Sequence, residues 1–285
     1  MAPRSSPTAR RRRLATVLRG LREERGLSCA EVARKVGWSE SKVSRIETGR
    51  VGVRTNDLDL LMDAYNLADD LRTDLQTLRR QASHRGWWAS YADALPQWFN
   101  SYVGLEDGAK SVTMYQNQLV PGLMQTEGYA EAVIRSARPN IAIDEVERQV
   151  AARATRQSLL TRRDALEAWI VLDEAVLRRN VGGTDVMGAQ LQHLLVLADL
   201  PSVTLQVLPF EHGAHASMGT AFSYLTFPET GGTGIIYIED LTSSQYLEEP
   251  EDIERYTLVI DHLRASALSP EASTAFIRSV LDALH

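Results

Sequence analysis

The densest run of side chains able to recognise hydrogen-bonding partners is Ser39-Glu40-Ser41-Lys42-Val43-Ser44-Arg45. Serine hydroxyls suit a base edge or a phosphate, Lys42 and Arg45 suit guanine O6 and N7 or a phosphate, and Glu40 can accept from cytosine N4. Glu40 has a second reading, as a first-turn carboxylate that complements the helix dipole. The residue order predicts a helix capped by Ser39, with Val43 and Ile46 turned inward and the polar residues left outside. Glu47, toward the far end of that helix, reads as structural.

Other elements must hold this helix. Ser28 and Glu31 have the spacing of a capping box and open a short helix over residues 29–36, which Gly37 ends. Leu14, Val17, Leu18 and Leu21 follow i, i+3, i+4, i+7 and make an earlier amphipathic helix, with Gly26 as its stop. A fourth helix opens at Thr55 or Asn56 and a fifth runs over residues 69–82, so the front of the chain reads as a compact all-α, five-helix domain. Helix, glycine turn and polar helix together form a helix-turn-helix, whose second helix fits the DNA major groove.

Charge supports a polyanionic partner. The chain has a formal net charge of −6, yet residues 1–85 carry 18 Lys and Arg against 11 Asp and Glu, whereas residues 86–285 carry 13 against 26. A basic front end on an acidic body can hold a polyanion with little non-specific sticking, and charge alone leaves nucleic acid, an anionic membrane and an acidic protein all open as partners. Arg10, Arg11, Arg12 and Arg13 read either as a solvated helix terminus or as a basic arm against phosphates. Four cations at a helix N-terminus oppose its dipole, which favours the arm.

Residues 28–50, from Ser28-Cys29-Ala30-Glu31 through Val36-Gly37-Trp38-Ser39 to Ser44-Arg45-Ile46-Glu47-Thr48-Gly49-Arg50, closely resemble the Cro/CI-type (XRE family) helix-turn-helix signature. The resemblance extends over residues 10–82 and implies a lambda-repressor-like DNA-binding domain with residues 39–46 as recognition helix. The DNA-binding set it implies, taken with the basic arm, is Arg10, Arg11, Arg12, Arg13, Ser28, Ser39, Glu40, Ser41, Lys42, Ser44, Arg45 and Arg50. It also implies that Glu47 pairs with an arginine of the first helix, either Arg22 or Arg19. Cys29 stands where the family usually has a phosphate-contacting Gln, which puts one backbone contact in doubt.

The remainder reads as α+β. Residues 83–110 concentrate aromatics, Trp87, Trp88, Tyr91, Trp98, Phe99 and Tyr102, with nothing basic interleaved, and are read as a hinge or seam between domains. Residues 86–165 read as mostly helical, including helices over 126–136 and 144–163. Short β-branched or aromatic runs at 166–172, 203–208, 221–227 and 235–238 read as strands of a small mixed or antiparallel sheet. Helices over 186–200, 251–267 and from Pro270 to about Leu284 pack on it. The expected organisation is a DNA-binding domain over 1–82, the seam over 83–110, and an α+β sensor or partner-binding domain over 111–285.

Nothing here has the spacing of a catalytic centre, so no catalytic residue, metal or cofactor is expected and the chain is read as a non-enzyme. His212 and His215 lie in a loop without a third ligand, and Glu211 precedes His212, which is not the H-E-x-x-H order. Gly231-Gly232-Thr233-Gly234 lacks the following Lys-Ser/Thr of a phosphate cradle and reads as a hairpin turn. Cys29 is the single cysteine and cannot form an internal disulfide. No run approaches the roughly 18 apolar residues of a membrane helix, and a cytoplasmic location with no membrane partner is expected. Glu106, Gln125, Arg153, Arg156, Gln157 and Glu239 are polar residues inside apolar segments: they read either as ion pairs and hydrogen bonds between elements or as a candidate effector pocket.

Nearly the whole chain is similar to actinobacterial WhiJ-like regulators with an antitoxin-like designation. The similarity is carried by Gly86-Trp87-Trp88, Gly104-Leu105-Glu106, residues 119–130, Arg153-Ala154-Thr155-Arg156-Gln157, residues 172–179, Val207-Leu208-Pro209-Phe210 and Tyr237-Ile238-Glu239. It implies a transcriptional regulator whose C-terminal domain binds a small-molecule effector or a small neighbour-encoded protein; because one helix-turn-helix reads only a half-site of double-stranded DNA, a homodimer is expected. The alternative it leaves is an antitoxin-like module that mainly holds such a protein and autoregulates; an enzyme with a DNA-targeting domain is a third class.

Overall fold

A computed structural model describes residues 6–84, 86–228 and 234–284. Backbone packing divides them into two units, residues 6–87 and 88–284.

The first unit is all helical: α1 (Pro7–Glu24), α2 (Cys29–Val36), α3 (Glu40–Glu47), α4 (Thr55–Ala64) and α5 (Asp69–Ala82). Its core joins Leu14 and Leu18 of α1, Val32 and Ala33 of α2, Val43 and Ile46 of α3, Leu58, Leu61 and Met62 of α4 and Leu75 of α5. Burying a Leu, Ile or Val side chain contributes about 1.5–3 kcal/mol. At 8, 8 and 10 residues, α2, α3 and α4 are too short to be stable alone, so shared burial holds them. Asn66, at φ +50°, supplies the left-handed residue between α4 and α5.

The second unit is built on six strands: β1 (Ser111–Gln116), β2 (Glu167–Asp173), β3 (Val203–Leu208), β4 (Phe222–Thr226), β5 (Gly234–Glu239) and β6 (Ser244–Leu247). They lie in the order β3-β2-β1-β4-β5-β6; β1, β2 and β3 are parallel, and β1–β4, β4–β5 and β5–β6 are antiparallel. The helices are α6 (Gln97–Gly108), α7 (Glu127–Ala137), α8 (Ile143–Gln157), α9 (Glu174–Arg178), α10 (Thr184–Ala198), α11 (Pro250–Ser266) and α12 (Pro270–Asp282). One sheet face packs Tyr115, Val171, Leu208, Phe222 and Ile236 against Ile260 and Leu263 of α11. On β5, Tyr237 points the other way and stacks on Tyr102 of α6 at 4.2 Å, as strand alternation requires.

The expected α+β class stands, with three corrections. The sheet has six strands where four were expected. β1 lies in the stretch read as mostly helical, where short Val112-Thr113-Met114-Tyr115 carries the β-branched and aromatic signal; β6 is a four-residue edge strand. The helix expected to reach residue 163 ends at Gln157 and tightens into one 3-10 turn, Ser158–Leu160. The aromatics from Trp88 onward group with the second unit rather than forming a separate seam: Trp98, Phe99 and Tyr102 pack on one another along α6.

Candidate nucleic-acid interface

Local signals set α3 at an angle to α2. Gly37 ends α2 at φ +72°, a conformation a Cβ disfavours, and the Trp38 amide donates to the Ala33 carbonyl at 2.8 Å. Ser39 then caps α3, its hydroxyl accepting the Lys42 amide at 3.3 Å. Val43 and Ile46 are pulled into the core. That leaves Ser41, Ser44, Arg45 and Thr48 at i, i+3, i+4 and i+7 as one exposed stripe, with exposed Glu40 beside it. The Arg45 Nε donates to the Ser41 carbonyl at 3.2 Å, laying the guanidinium along the stripe.

Lys42 behaves differently. Its Nζ lies 2.8 Å from Asp57 Oδ1 on α4 and 3.6 Å from the centroid of the Trp38 ring. It ties α3 to α4. Ser28 is also engaged: its hydroxyl accepts the Glu31 amide at 3.2 Å and its own amide donates to Glu31 Oε2 at 2.8 Å, which completes the expected capping box. Arg50 is exposed just beyond α3. Pattern reading missed the supporting roles of Asp57 and Tyr65 and the place of Thr48 on the exposed stripe; the i+7 spacing of Thr48 from Ser41 was the available signal.

Arg10, Arg11, Arg12 and Arg13 do not form an extended arm. Ser6 caps α1, its hydroxyl accepting the Ala9 amide at 3.1 Å, and Pro7 opens the first turn, so the helix begins before the arginines. Arg13 is exposed and the other three are half-buried. Burial, then the neighbouring Arg12 charge, holds the Arg11 pKa below its ordinary value. Arg12 crosses Gly49, which sits at φ +66°; a Cβ there would come within 3.2 Å of Arg12 Cγ.

Behind α3 lies a buried network. Arg22 Nε donates to Glu47 Oε1 and Oε2 at 2.9 and 2.8 Å, Arg22 Nη1 donates to the Leu27 carbonyl at 2.7 Å, and Tyr65 Oη donates to Glu47 Oε1 at 3.1 Å. Burial works against the Arg22 charge, but the Glu47 bond and charge outweigh it and raise its pKa. Burial and the Glu47 charge push the Tyr65 hydroxyl up and raise the pKa of the Cys29 thiol, whose Sγ is 3.8 Å from Glu47 Oε2. Glu47 has the structural role expected, and Arg22 is its partner; Arg19 pairs with Glu23 instead.

In the second unit the six polar residues fall into two groups. Arg156 Nε and Nη2 donate to Glu106 Oε2 and Oε1 at 2.7 and 2.9 Å, fully inside the fold, with the guanidinium 5.0 Å from the Phe99 ring. Arg153 lies beside Arg156, near the glycine of the 120–125 loop: a Cβ on Gly122 would be 3.1 Å from Arg156 Nη1 and 3.9 Å from Arg153 Nε. Burial, then the Arg156 charge, lowers the Arg153 pKa to about 10. Glu239 accepts from Tyr237 Oη at 3.0 Å, and desolvation raises its pKa. Gln125 and Gln157 instead hold backbone: Gln125 Nε2 donates to the Val120 carbonyl at 2.8 Å, and Gln157 donates to the Gln125 carbonyl. These bonds fit the inter-element reading, although the Gln125 Oε1 atom is buried without a partner. Of Gly231-Gly232-Thr233-Gly234, the first three lie outside the described residues. Among the described residues no cluster has the makings of a metal site and no helix is long and apolar enough to cross a membrane.

A capped helix with one polar face outward, clamped from behind by a buried ion pair, defines a helix-turn-helix DNA-binding protein. Residues 13–75 match the model of a helix-turn-helix domain, which bears out the XRE-type resemblance. Residues 99–279 match a domain of unknown function, DUF5753; this match spans more than half of the chain, and the chain belongs to that family. No curated protein and no solved structure matches the chain.

Proposed function

We propose that this protein is a sequence-specific transcriptional regulator that reads double-stranded DNA with α3 as a homodimer, and whose DUF5753 domain takes the signal that adjusts it. The observation that carries this reading is the exposed stripe Ser41, Ser44, Arg45 and Thr48 on a helix whose other side is locked into a core. One helix-turn-helix covers a single half-site, and useful specificity needs two. Arg45 is the candidate base reader, Glu40, Ser41 and Ser44 flank it, and Ser28, Ser39, Arg50 and the α1 arginines are candidates for backbone contacts. The second domain is a binding module and not an enzyme. A small molecule or small protein bound there must favour one DNA-binding arrangement over another, by about 1–3 kcal/mol for ordinary coupling.

The test is selection of genomic DNA fragments by the purified full-length protein at about 150 mM salt, where non-specific phosphate binding is weak. A palindromic consensus supports a dimeric regulator. Fragments recovered without any shared sequence would overturn the reading.

A further inference from the structure

The connection from β3 to β4 has an unusual path dictated by the strand order. β3 lies two places from β1 on one side and β4 lies beside β1 on the other, so residues 209–221 cross the carboxyl ends of β2 and β1. The β1–β2–β3 crossovers run to one side of β1 and the chain then returns to its other side. Crevices outside the carboxyl ends of strands at such a reversal are where open sheets bind ligands.

His215 stands midway along this connection, above both strand ends. Its Nε2 is 3.2 Å from Tyr115 Oη at the end of β1, and Tyr115 Oη is 3.4 Å from Asp173 Oδ2 at the end of β2. The Ser217 amide donates to His215 Nδ1 at 3.3 Å, which makes Nδ1 an acceptor and leaves the ring proton on Nε2. Ser217 Oγ donates to the Thr220 carbonyl at 2.6 Å and closes the loop. The chain of donors therefore runs Ser217 to His215 to Tyr115 to Asp173 and pins residues 215–220 over the sheet.

Beside this loop is a cavity of about 210 Å³ lined by residues 216–220 and by Arg255, Tyr256 and Val259 of α11. Its inner wall continues the core, since the Tyr256 ring meets Phe222 edge-on at 4.9 Å. Its mouth carries Met218, 63% exposed, and the exposed guanidinium of Arg255, which has no ion pair among the described residues. Drug-sized ligands occupy about 300–1,000 Å³, so the space suits something smaller.

We propose that this cavity binds a small organic monoanion with an apolar tail, the tail on Met218, Tyr256 and Val259 and the carboxylate at Arg255. His215 is a positioning residue that holds the loop. The site deepens the effector reading proposed above and rests on it only for the consequence to DNA binding.

Hexanoate is the probe, titrated into full-length protein carrying methyl-13C methionine, with hexylamine and hexanol as the cationic and neutral counterparts. Met218 reports by its methyl resonance, assigned with Met218→Leu, while buried Met62, Met114, Met124 and Met187 serve as internal references. The expected result is a saturable shift of Met218 with hexanoate at about 1–10 mM, since the site leaves the ligand partly in water, with Met218 and Arg255 both exposed. Arg255→Gln should weaken it about threefold, the scale of an exposed ion pair, and hexylamine should not saturate. No shift with any probe, or equal shifts with all three that ignore Arg255→Gln, overturns the site. Saturable, Arg255-dependent binding that leaves affinity for the selected DNA unchanged supports the site and overturns the effector reading instead.

Discussion

Arg22 of α1 and Glu47 of α3 form a two-pronged ion pair, Nε to Oε2 at 2.8 Å, with the Glu47 side chain 3% exposed. The pair sits on the inner side of the helix whose outer side carries Arg45. Its geometry therefore decides where the reading face points, linking the core of the domain to its recognition surface.

Removing one partner leaves the other charge buried. Glu47→Ala is expected to cost about 3–5 kcal/mol of unfolding free energy in urea titration. Replacing both, Arg22→Met with Glu47→Leu, should recover most of that loss. A double variant as unstable as the single one would show that packing, not charge, is at stake.

Arg45 and Lys42 should separate in DNA binding. Arg45→Ala is expected to lose about 1–3 kcal/mol against the selected DNA and to relax preference at one base-pair position. Lys42→Ala removes a contact to Asp57; a smaller loss, spread evenly over sequences, is expected. Fluorescence anisotropy with a set of single-base variants of the DNA distinguishes the two. Equal and uniform losses would reject Arg45 as the base reader.

Gly37 tests the turn itself. Its φ of +72° makes Gly37→Ala strained by about 1–2 kcal/mol. Thermal unfolding should show a lower Tm, and the surviving folded protein should bind DNA less tightly because α3 is re-aimed. An unchanged Tm would mean that the turn relaxes freely.

His215 should make stability depend on pH. Burial lowers its pKa below the ordinary 6.5, against the pull of Asp173 and with the help of His212. Neutral His215 accepts the Ser217 amide, and the imidazolium cannot. Its contribution is therefore complete above about pH 6.5 and lost as pH falls through the lower folded value. His215→Asn keeps an acceptor that does not titrate, so the difference in Tm between variant and wild type should shift in the variant's favour from pH 7.5 to 5. A difference constant across that range would remove His215 from the account.

Much of the first unit was legible because its signals are local. Ser28 with Glu31, Gly37 and Ser39 are caps and a turn whose chemistry lies within a few residues, and Leu14, Val17, Leu18 and Leu21 show their period directly. The same reasoning failed for β1, since a six-residue strand buried between β2 and β4 gains its stability from partners about 55 and 115 residues away in the chain, which no local window contains. The arginines of α1 lie inside the helix rather than at its start, because Ser6 and Pro7 open it earlier than its apolar period does.

The sequence by itself determined the helix-turn-helix, most of the residues on the exposed face of α3 and the α+β character of the rest, because caps, periodicity and β-branched runs act over short range. Only the tertiary structure decided that Glu47 pairs with Arg22 rather than Arg19, that Lys42 is held by Asp57, and that Glu106 and Arg156 meet inside the fold. Only it brought Tyr115, Asp173 and His215 together. These are contacts between distant segments, and distance along the chain carries no information about which charges and rings the packing of a shared core will bring within hydrogen-bonding reach.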